Sequence, residues 1–259
     1  MKKLVLIQMI MFLLALSVNA QEFRKKLSST SDATIKIALY NGNVSIQGYD
    51  GDEIIVKAIG YKAPPERAKG LHPLYSQGED NTGIGLSIKE EGNTLEIIKA
   101  SREDIDYEME VPRNVSVSVE EINFMGGHEF KIENVAGEIE VSTKTSNINL
   151  KNITGPMVAN SVSGNLEADF SSLNQEMPCS VSLVSGFADI TLPGTTKANL
   201  KLSSVSGEVY TDFDIALENE AESGMKRISM GRPIAGTINE GGTDFNIKVV
   251  SGNIYLRKK

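Results

Sequence analysis

Val162-Ser163-Gly164-Asn165-Leu166 has three close copies along the chain: Val184-Ser185-Gly186-Phe187-Ala188, Val205-Ser206-Gly207-Glu208-Val209 and Val250-Ser251-Gly252-Asn253-Ile254. Gly164 and Gly186 are 22 residues apart, Gly186 and Gly207 are 21, and Gly207 and Gly252 are 45, close to two such steps. Looser copies stand upstream at Val135-Ala136-Gly137-Glu138-Ile139 and Tyr40-Asn41-Gly42-Asn43-Val44. A fixed period of this size marks a repeat architecture, in which each unit covers its apolar face only by stacking on its neighbours.

Counting from the glycine gives the orientation of each unit. Positions two and four are mostly apolar: Ile139 and Val141, Leu166 and Ala168, Ala188 and Ile190, Ile254 and Leu256, with Val209 and Thr211 bending the rule. Position six adds Phe170, Leu192 and Phe213. A period of two places these side chains on one face of a strand, which predicts that they point into a core. Asn165, Glu167 and Asp169 then point outward. The glycine marks a corner, where positive φ carries no steric cost. The Ser-Gly pair is read as corner geometry, without a catalytic role for the serine.

Upstream of the strict copies the signals are weaker but of the same kind. Gly137, Ser146, Gly155 and Gly164 fall nine apart, which predicts two strands per coil joined by tight turns. Ile35, Ile37 and Leu39 lead to Asn41-Gly42, and Val44 and Ile46 follow it; Asn-Gly between alternating runs predicts a hairpin. Further turns fall at Asp50-Gly51, Glu91-Gly92-Asn93 and Pro112-Arg113-Asn114. Residues 60–83, with Pro64, Pro65, Pro73, Gly70, Gly78 and Gly83, read as a long loop, and 218–242 as a second irregular stretch. Residues 21–32 read as a mobile lead-in. No segment beyond residue 20 has a helical period. The expectation is an all-β protein, a β-solenoid with N-terminal hairpins, forming one domain over 21–259 with coils clearest in 130–259.

The first twenty residues form a separate object. Lys2 and Lys3, the apolar run Leu4–Leu16 and the small residues Val18-Asn19-Ala20 predict a secretory signal peptide cut after Ala20, which places the protein in the periplasm, at the outer surface or outside the cell. The apolar run is shorter than the roughly 20 residues a bilayer span needs, so no transmembrane span is expected in the mature chain. Cleavage removes two lysines and takes the formal charge from −8 to −8 − 2 = −10. That balance argues against nucleic acid as a partner. Cys179 is the single cysteine, so no intrachain disulfide can form, and its neighbours Met177, Ser180 and Val181 suit a core position.

The turn Val111-Pro112-Arg113-Asn114-Val115, the successive Val-Ser-Gly units and the closing Ser251-Gly252-Asn253-Ile254-Tyr255-Leu256 resemble the bacterial putative-adhesin family of β-strand-repeat proteins, a domain of unknown function related to the head GIN-domain proteins. The likeness covers roughly residues 33–259. It implies a right-handed parallel β-helix and export, and it supplies no catalytic residues to carry over. The two long irregular stretches depart from the tidier members.

Candidate chemistry is sparse. If the coils stack in register, the outward column at position three reads Glu140, Glu167, Asp189, Tyr210 and Tyr255. Three acids about 5 Å apart could hold calcium or serve a polysaccharide-cleaving enzyme, whereas a solvated face that discourages edge-to-edge pairing is the plainer reading. His72 and His128 have no Cys, His or carboxylate partner at ligand spacing, so no metal is expected. No nucleophile elbow, phosphate loop or dinucleotide fingerprint is present, and no catalytic residue or cofactor is assigned. Trp is absent, and Phe187, Tyr210 and Tyr255 are few as platforms for sugars. The sequence points to a non-enzymatic exported envelope or surface interaction module, adhesin-like, with an unknown protein or glycan partner. The alternatives are a polysaccharide-active enzyme on a β-helix scaffold and a periplasmic envelope-signalling component.

Overall fold

The computed structural model describes residues 21–30, 32–71, 73–74, 76, 78–124, 126–217 and 233–259. The expected signal peptide at 1–20, His72 and residues 218–232 of the second irregular stretch lie outside them. The described strands are, in chain order, β1 Gln21–Lys26, β2 Thr34–Leu39, β3 Val44–Tyr49, β4 Glu53–Ile59, β5 Leu86–Glu91, β6 Thr94–Lys99 and β7 Asp106–Pro112. Next come β8 Ser116–Glu121, β9 Glu129–Glu133, β10 Ile139–Thr143, β11 Asn147–Ile153, β12 Met157–Ser163, β13 Leu166–Phe170 and β14 Cys179–Ser185. The last are β15 Ala188–Leu192, β16 Ala198–Ser206, β17 Val209–Thr211, β18 Ala216–Leu217, β19 Ile234–Ile238, β20 Thr243–Ser251 and β21 Ile254–Lys258. Among the described residues the only helical element is the 3-10 turn Glu66–Ala68, so the protein is all-β.

The strands form two sheets, and each coil contributes one strand to each. Along the stack the coils run β6/β7, β2/β3, β8/β9, β10/β11, β12/β13, β14/β15, β20/β21 and β16/β17, all paired in parallel. Spatial order therefore departs from chain order at both ends. The last coil slots between the coils of Gly186 and Gly207, so the 45-residue gap is not two successive steps. Because every strict copy presents the same corner, β20/β21 can stack between them without loss of register.

Antiparallel strands close the ends. β4 pairs β7 and β1 pairs β4 in one sheet, and β5 pairs β6 in the other. At the far end β19 pairs β16 and β18 pairs β19. Two sequence readings are corrected here. Asn41-Gly42 joins strands in different sheets and is a corner, not a hairpin turn. Residues 21–26 are not a mobile lead-in but edge strand β1, held by Lys26–Asp52 (2.6 Å) and Lys25–Glu90 (2.7 Å) ion pairs. Such a charged edge discourages pairing with another chain.

The core lies between the sheets. Ile139, Val141, Leu166, Ala168, Phe170, Ala188, Ile190, Leu192, Phe213, Ile254 and Leu256 are all buried, so the inward assignment holds. Burial of one such Leu or Ile contributes about 2 kcal/mol. Phe170 and Phe245 meet edge to face at 5.7 Å. Cys179 is buried, with the Met157 amide donating to its sulfur at 3.3 Å, and burial pushes the thiol up to about 11.

The corners explain the repeated glycine more fully than φ does. At Gly186 (φ 123°) a Cβ would lie 2.3 Å from the Gly164 carbonyl oxygen, and at Gly252 (φ 139°) 1.9 Å from that of Gly186. Successive coils touch backbone to backbone there, through Gly164 N–H to Ser185 O (3.2 Å), Gly186 N–H to Ser251 O (3.1 Å) and Gly252 N–H to Ser206 O (2.9 Å). Just inside this corner the register runs Lys99, Leu39, Glu121, Thr143, Ser161, Leu183, Val249, Ser204. Five of these eight are buried polar residues, and they serve the corner backbone or each other: Ser204 Oγ donates to Gly252 O (2.8 Å) and Thr143 Oγ1 to Ser161 Oγ (2.8 Å). Buried polar groups persist where such partners exist.

Candidate functional site

Between β4 and β5 the chain leaves the coil and returns folded on itself. Asp80 is the hub of that excursion. Its Oδ1 accepts N–H groups of Thr82 (3.0 Å) and Gly83 (2.8 Å), and its Oδ2 accepts the Gly85 N–H (2.9 Å) and the Tyr61 hydroxyl (3.1 Å). Partial burial pushes the Asp80 carboxyl up, but the bonds from Gly85, Thr82 and Gly83 outweigh it and hold the group below its usual range. Burial and the neighbouring Asp80 carboxylate push Tyr61 up to about 12. Asn81 mimics a strand beside β5, donating to Ile88 O (2.8 Å) and accepting its N–H (2.9 Å). Gly85 O accepts the Ala100 and Ser101 amides at 2.8 and 3.0 Å, which ties the loop to the segment after β6.

This anchoring leaves an open cleft of about 740 Å³ between the loop and residues 100–103. Tyr61, Pro64, Pro73, Leu71, Leu74 and Ala100 give it an apolar lining, and Lys62, Glu79, Arg102 and Glu103 stand around it. Leu71 and Leu74 are 70% and 92% exposed, which the fold itself does not require. Lys99 lies beneath, fully buried, with Nζ donating to Asn41 O (3.0 Å) and Asn41 Oδ1 (2.5 Å). The Tyr40 and Tyr107 rings each lie 5.7 Å from it. Burial pushes the ammonium down to about 8. With no exposed surface, this amine closes a corner and offers no nucleophile to a ligand.

The acid column read from the sequence does not form. Glu140 stands on β10, in the opposite sheet from Glu167 and Asp189, and accepts from Ser118 Oγ at 3.1 Å. Val135-Ala136-Gly137 is the other corner of a coil, so counting from Gly137 placed Glu140 half a coil away. The row that does form runs Lys131, Asn149, Glu167, Asp189, Tyr255, Tyr210. Asp189 accepts from Arg257 Nε and Nη2, at 2.7 and 2.8 Å, and Asp169 is paired with Lys259. Among the described residues no three His, Cys, Asp or Glu side chains gather as metal ligands, and no described helix is long and apolar enough to cross a membrane. His128 is half-buried on the approach to β9.

Phe187, Tyr210 and Tyr255, scattered in sequence, come together because β21 lies between β15 and β17. Tyr210 and Tyr255 stack at 5.3 Å with 10° between planes, and Phe187 meets Tyr255 edge-on at 6.2 Å. Sequence reading singled out these three rings and the 60–83 stretch, but not that the rings meet, which follows from the stacking order, nor that the loop folds back over residues 100–103.

Comparison with known proteins gives a family and a set of distant structures. No curated protein matches the chain. The chain is similar to a putative cell adhesion protein from Clostridium sporogenes ATCC 15579, at 14% identity and TM-score 0.46 over 93% of this chain and all of the other. It is also similar to putative adhesins from Bacteroides fragilis NCTC 9343 (11% identity, TM-score 0.38, covering 94% of this chain and 98% of the other) and Parabacteroides merdae ATCC 43184 (11%, 0.30, 93% and 97%). The sequence pattern of the Toastrack family, DUF4097, matches residues 8–257, and the chain belongs to that family.

Proposed function

We propose that this protein is an exported, non-enzymatic interaction module of the cell envelope, whose cleft at the 60–85 loop receives an apolar segment of a protein partner. The reading takes the mature chain to start at Gln21, as one domain through residue 259, with right-handed coils, the hand parallel crossovers take almost without exception. The observation that carries it is the pairing of a stapled loop with exposed leucines: Asp80 fixes the backbone, while Leu71 and Leu74 stay in solvent beside the cleft. Recognition concentrates on loops held by a rigid scaffold. An aliphatic lining with charges of both signs around it suits a protein segment better than a sugar ring. Against the polysaccharide-cleaving alternative, Asp189 is engaged by Arg257, and neither Glu167 nor Asp189 lines the cleft.

Leu74→Cys, labelled with a thiol-reactive photo-crosslinker, tests this in the producing cell, because native Cys179 is buried and its thiolate disfavoured. The expected result is one envelope-protein adduct, suppressed by excess unlabelled mature chain and not by its Leu71→Glu variant. The absence of a competable adduct overturns the cleft, and turnover of a polysaccharide overturns the non-enzymatic reading. N-terminal sequencing of the exported protein is expected to begin at Gln21; a chain retained in the cytoplasm from Met1 overturns export.

A further inference from the structure

At the other end of the molecule the outer face changes character. From the first edge, the mid-strand row of that sheet reads Glu22, Lys57, Glu108, Ser45, Lys131, Asn149, Glu167, Asp189, Tyr255, Tyr210. Eight polar or charged residues precede two tyrosines at equivalent outward positions, so the fold itself does not require rings there. Phe187 breaks a second pattern. Asn147, Asn165 and Asn253 use Oδ1 to accept the amide of the next coil, at 2.9 Å to Asn165, 3.2 Å to Phe187 and 2.9 Å to Glu208. At the same corner position Phe187 has no such acceptor and lays its ring against Tyr255 instead.

The cluster is fixed before any ligand arrives. Asn253 Nδ2 donates to Tyr255 Oη at 2.9 Å, and the Arg257 guanidinium lies 5.5 Å from the Tyr255 ring while gripping Asp189 with two nitrogens. β17 is the last strand of its sheet among the described residues, so the face of Tyr210 turned from Tyr255 meets no further strand, and Tyr210 is half exposed. The result is an aromatic step at the end of the solenoid with a neutralised carboxylate–guanidinium pair beside it.

We propose that Tyr210, Tyr255 and Phe187, with Asp189 and Arg257, form a binding platform for a neutral saccharide chain. A pyranose presents one face of C–H groups and a rim of hydroxyls. The open ring face of Tyr210 suits the first, and a chain that continues across Tyr255 brings the hydroxyls of a further sugar to the planar fork and carboxylate, two strands away. The mutual neutralisation of Asp189 and Arg257 favours an uncharged ligand over an anionic one. A flat step also suits a sugar ring better than an aliphatic side chain, which needs a walled pocket. This platform is independent of the cleft, at the opposite end of the stack.

The test is electrophoresis of the mature protein through native gels containing soluble neutral polysaccharides, namely a β-1,3-glucan, a xylan, a mannan and a galactan. Tyrosine fluorescence gives a parallel readout, since the chain has no Trp. Retardation is expected on at least one gel. Tyr210→Ala and Tyr255→Ala should weaken it tenfold or more with unchanged thermal melting, while Tyr210→Phe and Glu167→Gln retain it. Leu74→Glu, which damages the cleft, should leave it unchanged, so the two readings fail separately. No retardation on any gel, or retardation indifferent to Tyr210→Ala, overturns the platform. Sedimentation showing concentration-dependent dimers abolished by Tyr210→Ala overturns it in favour of a second copy of the chain.

Discussion

The corners of the C-terminal coils and those of the N-terminal coils solve one problem with opposite chemistry. At Gly164, Gly186, Gly252 and Gly207 the chain bends so tightly that backbone meets backbone, and the side chains that assist, Ser204 and the corner asparagines, are uncharged. At the N-terminal end the coils are broken by excursions, and buried charged side chains take over at the same column position. Glu121 accepts the amides of Lys144 (2.6 Å), Thr145 (2.8 Å) and Ser146 (3.1 Å), and Lys99 donates to Asn41 O. A carboxylate stands where orphan N–H groups gather and an ammonium where orphan carbonyls do. Repetition in the sequence therefore marks corners closed by backbone with uncharged side chains. The loss of repetition marks corners whose stability depends on charge, and so on pH.

The largest effect is expected at a backbone corner. Gly186→Val forces a Cβ into the Gly164 carbonyl at a φ that β-branched residues avoid. It should cost ~4 kcal/mol in urea unfolding and lower the melting temperature by about 10 °C. A near-parental melt would mean that the corners are loose, and the contrast drawn above would collapse.

Next comes Glu121→Gln. Burial pushes the Glu121 carboxyl up, but the bonds from Thr145, Lys144 and Ser146 outweigh this and hold it below the ordinary range. A depressed folded value means that the carboxylate stabilises the protein above its unfolded value and that this contribution fades as pH falls through the folded one. The variant should lose ~2 kcal/mol at neutral pH, in the range for hydrogen bonds to a buried charged group. The gap to the parent should close in acid. A gap that is constant across the acid limb would remove charge from the explanation.

Lys99→Met should give a smaller and oppositely placed signature. The folded ammonium titrates near 8 against an ordinary 10.5. Between those values the unfolded chain binds more protons, so parental stability rises with pH there, relative to the variant. Denaturant melts of both proteins across that window, showing parallel curves, would contradict the burial of a charged amine.

The sequence carries the inward and outward alternation because a period of two needs only local information, and Leu166, Ala188 and Ile254 fall where it puts them. The stacking order is not local. Nothing within Val250–Ile254 says that this coil lies beside Gly186 rather than beyond Gly207, and the aromatic cluster follows from that placement. Glu140 shows the same limit at half a coil: two corners per turn look alike in sequence, yet they lead into different sheets. Asn41-Gly42 likewise supplies a tight turn in either geometry, and only the strands available for pairing decide between hairpin and corner. The cleft was legible as an irregular stretch, but its shape depends on Tyr61 meeting Asp80 across the loop and on Gly85 meeting Ala100 and Ser101.

The smallest expected effect lies in the most visible letter of the repeat. Val162, Val184, Val250 and Val205 occupy neighbouring strands in register and are 39–55% exposed, facing away from the core. Their β-branched side chains favour extended backbone, and little more is asked of them by the fold. Val184→Thr keeps the branch and the strand preference while removing apolar surface, so it should move stability by less than about 0.5 kcal/mol. Gly186, two residues away, is expected to cost several times that. If Val184→Thr instead destabilised the protein as Gly186→Val does, the valine row would have to be covered in the native state. Sedimentation of the parent would then be expected to show an oligomer.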